Sequence, residues 1–86
     1  MTTWRKEISM LLQGFGLTWD DVIACTLTEA QLDAEFDKGF GCTEGDPFTL
    51  WTEAWVLFPR CYDGAEGVAS VPRNPCDHAQ PHIGGG

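Results

Sequence analysis

Basic side chains are scarce in this sequence. Five Lys and Arg stand against thirteen Asp and Glu, which gives a formal net charge of −8 at pH 7. Between Glu7 and Glu53 the only base is Lys38. A surface of this sign repels phosphate backbones and anionic lipids, which argues against direct binding of nucleic acid or of a membrane surface. Either the charge serves a partner protein with a basic surface, or it only keeps the chain in solution.

Long apolar runs are also missing. The longest mainly apolar stretch, residues 54–59, is far shorter than the roughly 20 residues that a membrane-spanning helix needs. Near the N-terminus, polar Ser9 interrupts the apolar residues 8–12, and no small-residue cleavage site follows. We therefore expect no signal peptide and predict a cytoplasmic protein.

Paired cysteine motifs are absent as well. The four cysteines are Cys25, Cys42, Cys61 and Cys76. They form no CxxC pair, and in a reducing compartment free thiols are expected. We predict no metal and no cofactor. One alternative stays open: Cys76, His78 and His82 are close in sequence, and Cys61 could add a fourth ligand to a zinc-stapled structural or virion-assembly module.

No catalytic signature is present. The glycine-rich segment 39–47 lacks the Lys-Ser/Thr ending of a P-loop, and its Glu44 and Asp46 would repel phosphate. A cysteine enzyme would need Cys61 or Cys76 beside a histidine, and no local signature marks such a pair. We predict that the protein is not an enzyme, with the cysteine enzyme as a weaker alternative.

The residues that are present predict one α+β domain, 1–86, with a helical half 1–38, a sheet half 48–72 and a flexible tail 76–86. In the helical half, Trp4, Ile8 and Leu12 share one helix face, with Thr2 or Thr3 as N-cap and a stop at Gly14 and Gly16. Two to three helices are expected to pack on a three-stranded antiparallel sheet.

Capping residues mark the two later helices. Thr18 precedes the acidic pair Asp20 and Asp21, which is typical of a short helix. Thr28 and Gln31 form a capping box, which predicts a helix from Thr28 to about Lys38. Its inward residues are expected to be Leu32 and Phe36.

The sheet half is rich in aromatic and β-branched residues. The runs 48–52, 54–60 and 66–71 predict three strands, with a tight connection at 62–64. The middle run is apolar on both faces, so one face needs a second cover. If that cover is missing, Trp51 and Trp55 form an exposed patch that could bind a partner or a second copy of the chain.

The second half resembles small accessory proteins of tailed bacteriophages. The residues that carry the resemblance are FPRCYDGAE at 58–66, VASVPRNP at 68–75 and the terminal glycines. The resemblance covers the C-terminal half well and the helical half loosely, and no catalytic or ligand residue carries over from it. It implies that the glycine tail is native and that the chain binds and blocks a host protein, as anti-CRISPR and anti-restriction inhibitors do. The family pattern leads us to expect a bulky aromatic at Gly67.

These observations predict a phage-type accessory protein that inhibits a host protein with a basic surface, such as a nucleic-acid-binding or defence factor. Two surfaces are candidates for partner binding. The acidic candidate consists of Asp33, Asp37, Glu44 and Asp46, and the aromatic candidate consists of Trp51 and Trp55. Tryptophan is enriched among interface hot spots, and acidic clusters speed association with basic partners.

Overall fold

The computed structural model describes residues 2–36, 45–62 and 65–82, apart from the side chains of residues 62 and 65. The fold class is α+β, as predicted. The elements in chain order are β1 (Thr2–Thr3), α1 (Trp4–Gly14), a 3₁₀ turn (Trp19–Asp21), β2 (Ala24–Cys25), α2 (Glu29–Asp33), β3 (Glu35–Phe36), β4 (Leu50–Trp51), β5 (Trp55–Tyr62) and β6 (Ala65–Pro72). None of the described helices is long and apolar enough to cross a membrane.

Helix α1 forms where its apolar spacing predicts it. The Thr3 side chain caps it by accepting a hydrogen bond from the Lys6 amide at 3.1 Å. Trp4, Ile8 and Leu12 are buried on one face. The helix ends at Gly14, and Gly16 follows with a φ of 75°, a backbone conformation that a residue with a Cβ rarely adopts.

Helix α2 is shorter than predicted. The capping box is confirmed, since Thr28 and Gln31 exchange side chain to backbone hydrogen bonds of 2.8 and 3.2 Å. The helix nevertheless ends at Asp33, and Phe36 is buried as part of β3, paired with Thr2. Acidic residues near a helix C-terminus oppose the helix dipole, and the strand pairing supplies an alternative partner for the backbone. The predicted end at Lys38 lies outside the described residues.

The main sheet has four antiparallel strands in the order β2-β4-β5-β6, and not three. The predicted runs correspond to β4, β5 and β6. The added strand, β2, comes from the first half of the chain and pairs Ala24 with Trp51 and Cys25 with Leu50. Two residues are too few to show an alternating pattern, so no periodicity predicts this strand. A second, two-stranded sheet joins β1 and β3.

The core joins the two halves of the chain. Leu50 and Leu57, which are fully buried on one face of the main sheet, belong to the same cluster as the buried face of α1 and as Leu32 of α2. We call this face the inner face. The helices cover it, and the opposite face is the outer face.

Trp4 is the centre of this core. It is 1% exposed, and its ring lies 4.7 Å from that of Phe36 and 4.9 Å from that of Phe48. Its indole Nε1 donates to the Asp46 carbonyl at 2.9 Å. The Gly45 amide donates to the buried carboxylate of Glu66 at 3.1 Å. The segment that starts at Gly45 is thereby tied to α1 on one side and to β6 on the other.

Candidate protein-binding surfaces

The structure describes two of the four predicted acidic residues, Asp33 and Asp46. Asp33 is exposed at the end of α2, and Asp46 is exposed beside Gly45. Asp46 and Glu35 line one shallow depression together with the end of α2, so they lie near each other. Asp37 and Glu44 lie outside the described residues. We use the name α2 acidic surface for Glu29, Asp33, Glu35 and Asp46.

One base partly offsets the charge of this surface. The Arg5 guanidinium donates to the Asp33 carboxylate at 2.6 Å and also to Glu29. The hydrogen bonds that the guanidinium donates to Asp33, and then to Glu29, raise the pKa of Arg5 above its ordinary value. Within the described part of the chain, Glu35 and Asp46 have no ion pair. The negative field of the surface therefore comes chiefly from these two residues.

Trp51 and Trp55 do not form the single patch that we expected. Trp51 pairs with Val56, so these two side chains lie on the same face of the sheet. Trp55 is the neighbour of Val56 in β5, and successive side chains of a strand point to opposite faces. Trp51 is therefore on the outer face and Trp55 is on the inner face. The register decides this, because it pairs Trp51 with Val56 and so places the next side chain along β5, Trp55, on the other face.

Trp55 is half-buried at one end of the core. Its ring stacks on Phe15 with centroids 4.5 Å apart and planes 8° from parallel. The His78 ring approaches its edge at 5.6 Å. The end of α1 and the C-terminal segment thus cover part of this ring, which no local sequence pattern indicates.

The outer face of the sheet is apolar. Four half-buried side chains lie on this face, namely Trp51, Val56, Phe58 and Val71. None of the four packs against the described core. Arg60 is the charged residue on this face, and its guanidinium lies over Gly67, where a Cβ would be 3.0 Å from Nη2. Glycine at position 67 therefore leaves room for Arg60, in the place where the phage resemblance had led us to expect an aromatic ring.

The ligands considered for zinc do not come together. Cys25, Cys61 and Cys76 have free thiols, and Cys42 lies outside the described residues. Among residues 2–36, 45–62 and 65–82, no group of three or more His, Cys, Asp or Glu side chains could hold a metal ion. Cys61, Cys76, His78 and His82 are all within these ranges, so the geometry lends the zinc-stapled module no support.

Sequence reasoning missed one groove. It lies between the 3₁₀ turn and the turn that joins β4 to β5, and its volume is about 640 Å³. We call it the acidic groove, and the side chains that matter here are Phe15, Ile23, Trp55, Asp20, Asp21 and Glu53. The sequence shows only that Ile23 follows closely on an acidic pair, and the folded chain brings Glu53 and Trp55 beside it.

The chain matches no protein-family model, no curated protein and no solved structure.

Proposed function

We propose that this chain is a small acidic, phage-type accessory protein that binds the basic surface of a host protein and inhibits that protein. The observation that carries the proposal is the α2 acidic surface, where four carboxylates are exposed and Arg5 is the one base that pairs with them among the described residues. A partner that binds nucleic acid carries a basic groove, and occupying that groove blocks its ligand. The resemblance of residues 58–75 to phage accessory proteins supports the same context.

The outer face supplies a second element of the proposal. Exposed carboxylates steer a basic partner and raise the association rate, whereas buried aromatic contacts supply most of the affinity of an interface. Trp51 is the side chain of the outer face that best fits this second role. We propose that charge on the α2 acidic surface selects the partner and that Trp51 anchors it or anchors a second copy of the chain.

Affinity capture from bacterial lysate tests the proposal. The tagged chain is used in about 0.1 M and about 1 M NaCl, because the Debye length then falls from about 10 Å to about 3 Å. The comparison variant is Glu35→Gln with Asp46→Asn, which leaves the Arg5 ion pairs in place. The control is Asp77→Asn, which removes a negative charge from an exposed position outside the α2 acidic surface.

We expect one host protein to be retained at low salt, released at high salt and lost with the comparison variant. Addition of the chain to that purified host protein should then reduce its nucleic-acid binding or defence activity. Retention that is indifferent to salt and to both variants would contradict a charge-driven interaction. A retained protein whose activity is unaffected would contradict inhibition.

A further inference from the structure

The acidic groove is lined by both apolar and acidic side chains. Phe15 and Ile23 line it with 36% and 61% of their surface exposed, and they are two of the three large hydrophobic side chains that the described residues leave most exposed. Exposed apolar groups that share one concave surface mark interaction sites more often than scattered ones do. A volume of about 640 Å³ falls within the range of about 300–1,000 Å³ for sites that hold a compact ligand.

Hydrogen bonds fix both walls of the groove. The Ile23 amide donates to the Trp51 carbonyl at 2.8 Å, which attaches one wall to β4. On the other wall, Thr52 and Trp55 close a tight turn, with the Trp55 amide donating to the Thr52 hydroxyl at 3.0 Å. Glu53 lies within this turn. The groove is thus built on the sheet and needs little reorganisation to accept a ligand.

The net charge around the groove is negative. Asp20, Asp21 and Glu53 line it with three carboxylates, and no Lys, Arg or His is among its lining residues. Arg73 reaches this region, where its guanidinium donates to the Thr52 carbonyl at 3.1 Å, and its charge offsets one of the three carboxylates. Asp21 also accepts a hydrogen bond from the Thr18 amide at 2.8 Å, which holds its carboxylate in position.

We propose that the acidic groove binds a segment of a partner protein in which an aliphatic or aromatic side chain is flanked by Lys or Arg. The apolar side chain would lie against Phe15, Ile23 and Trp55, and the flanking bases would face Asp20 and Glu53. Charge complementarity favours this occupant over a second copy of the chain, because each copy has a net charge of −8. The inference rests on the proposed function and names the part of the partner that is recognised.

A labelled peptide tests the groove with purified protein. The probe is fluorescein-Gly-Lys-Arg-Leu-Leu-Arg-Lys-Gly, and its control has both Leu replaced by Ser at the same charge. Fluorescence polarisation should show binding of the Leu peptide and a loss of at least about tenfold for the Ser peptide, because the apolar contact is removed. Amide resonances of Ile23 and Glu53 should shift on titration, and that of Glu35 should not.

Variants separate the groove from general attraction between opposite charges. Ile23→Ser should lower the affinity for the Leu peptide by about tenfold. The double variant Asp20→Asn with Glu53→Gln should also lower this affinity and should make it less dependent on salt. The double variant Glu35→Gln with Asp46→Asn also removes two negative charges, but from the α2 acidic surface. Its affinity for the Leu peptide should stay within about twofold of that of the unmodified chain. All five side chains are exposed, and thermal unfolding checks that each variant is folded.

The outcomes that contradict the groove differ from those that contradict the proposed function. Equal binding of the Leu and Ser peptides, or an equal loss with both charge variants, would show attraction without a site. No binding of the Leu peptide would reject the groove while leaving host capture by the α2 acidic surface intact. If the peptide binds in the groove but no host protein is captured or inhibited, the proposed function fails and the groove assignment stands.

Discussion

At the scale of single residues, the contact between Gly45 and Trp4 places the tightest constraint on the chain. A Cβ on Gly45 would lie 2.6 Å from Cζ2 of the Trp4 ring and 2.9 Å from its Nε1. The ring cannot move aside easily, because Phe36 and Phe48 pack against it and the Asp46 carbonyl holds its nitrogen. Glycine is required at position 45 for space, whatever its backbone conformation.

Gly45→Ala is therefore expected to destabilise the protein. Overpacking a close-packed core costs about 1–3 kcal/mol, and the free energy of unfolding should fall by that amount in urea denaturation. Gly14→Ala is the matched control, since a Cβ at the end of α1 has no atom within 4 Å. That variant should be stabilised by about 0.5–1 kcal/mol through helix propensity. Equal effects of the two substitutions would contradict the contact with Trp4.

At the scale of elements, local capping and tertiary pairing together set the length of α2. The capping box at Thr28 fixes where the helix begins. Leu27 and Leu32 are both buried in the core on either side of the first turn, as a hydrophobic staple requires. The end of the helix depends on Phe36, which gains more from burial against Trp4 and from pairing with Thr2 than from a further turn.

Removal of the cap tests this balance. Thr28→Ala leaves the Gln31 amide without its side-chain acceptor, and we expect a loss of about 1 kcal/mol in the free energy of unfolding. Thr28→Ser keeps the hydroxyl and should lose much less. Both values can be measured by chemical denaturation. A Ser variant as unstable as the Ala variant would indicate that the Thr methyl group, and not the cap, stabilises the helix.

At the scale of the whole molecule, the excess of acids affects stability as well as binding. Thirteen acids and five bases on 86 residues repel one another across the surface, and self-repulsion of this kind destabilises a compact state. The ion pairs of Arg5 act in the opposite direction, but both carboxylate partners are exposed and Arg5 is only half-buried, so such pairs contribute little. The net effect of screening by salt should be stabilising.

Salt is accordingly expected to raise the melting temperature. Between about 10 mM and about 150 mM NaCl the Debye length falls from about 30 Å to about 8 Å. We expect Tm to rise by about 2–5 °C, since about 1 kcal/mol shifts a domain of this size by about 4–8 °C. Differential scanning calorimetry measures the shift. The variant with Glu35→Gln, Asp46→Asn and Asp77→Asn should show a smaller rise, and a fall in Tm with salt would contradict the argument.

The sequence by itself determined the features that depend on near neighbours. The α+β class, the buried face of α1, the N-caps at Thr18 and Thr28 and the positions of β4 to β6 follow from local sequence patterns, which left the cap of α1 open between Thr2 and Thr3. The sequence also indicated an acidic surface at Asp33 and Asp46.

Only the tertiary structure decided the features that depend on distant pairing. Strand β2 exists because Ala24 and Cys25 meet β4, and the register of β4 and β5 sends Trp51 and Trp55 to opposite faces. Arg5 reduces the charge beside Asp33 from 28 residues away, and the acidic groove brings Ile23 beside Glu53. Two-residue strands and contacts of this separation leave no periodic trace in a sequence, because their energy comes from packing between elements and not from local propensity.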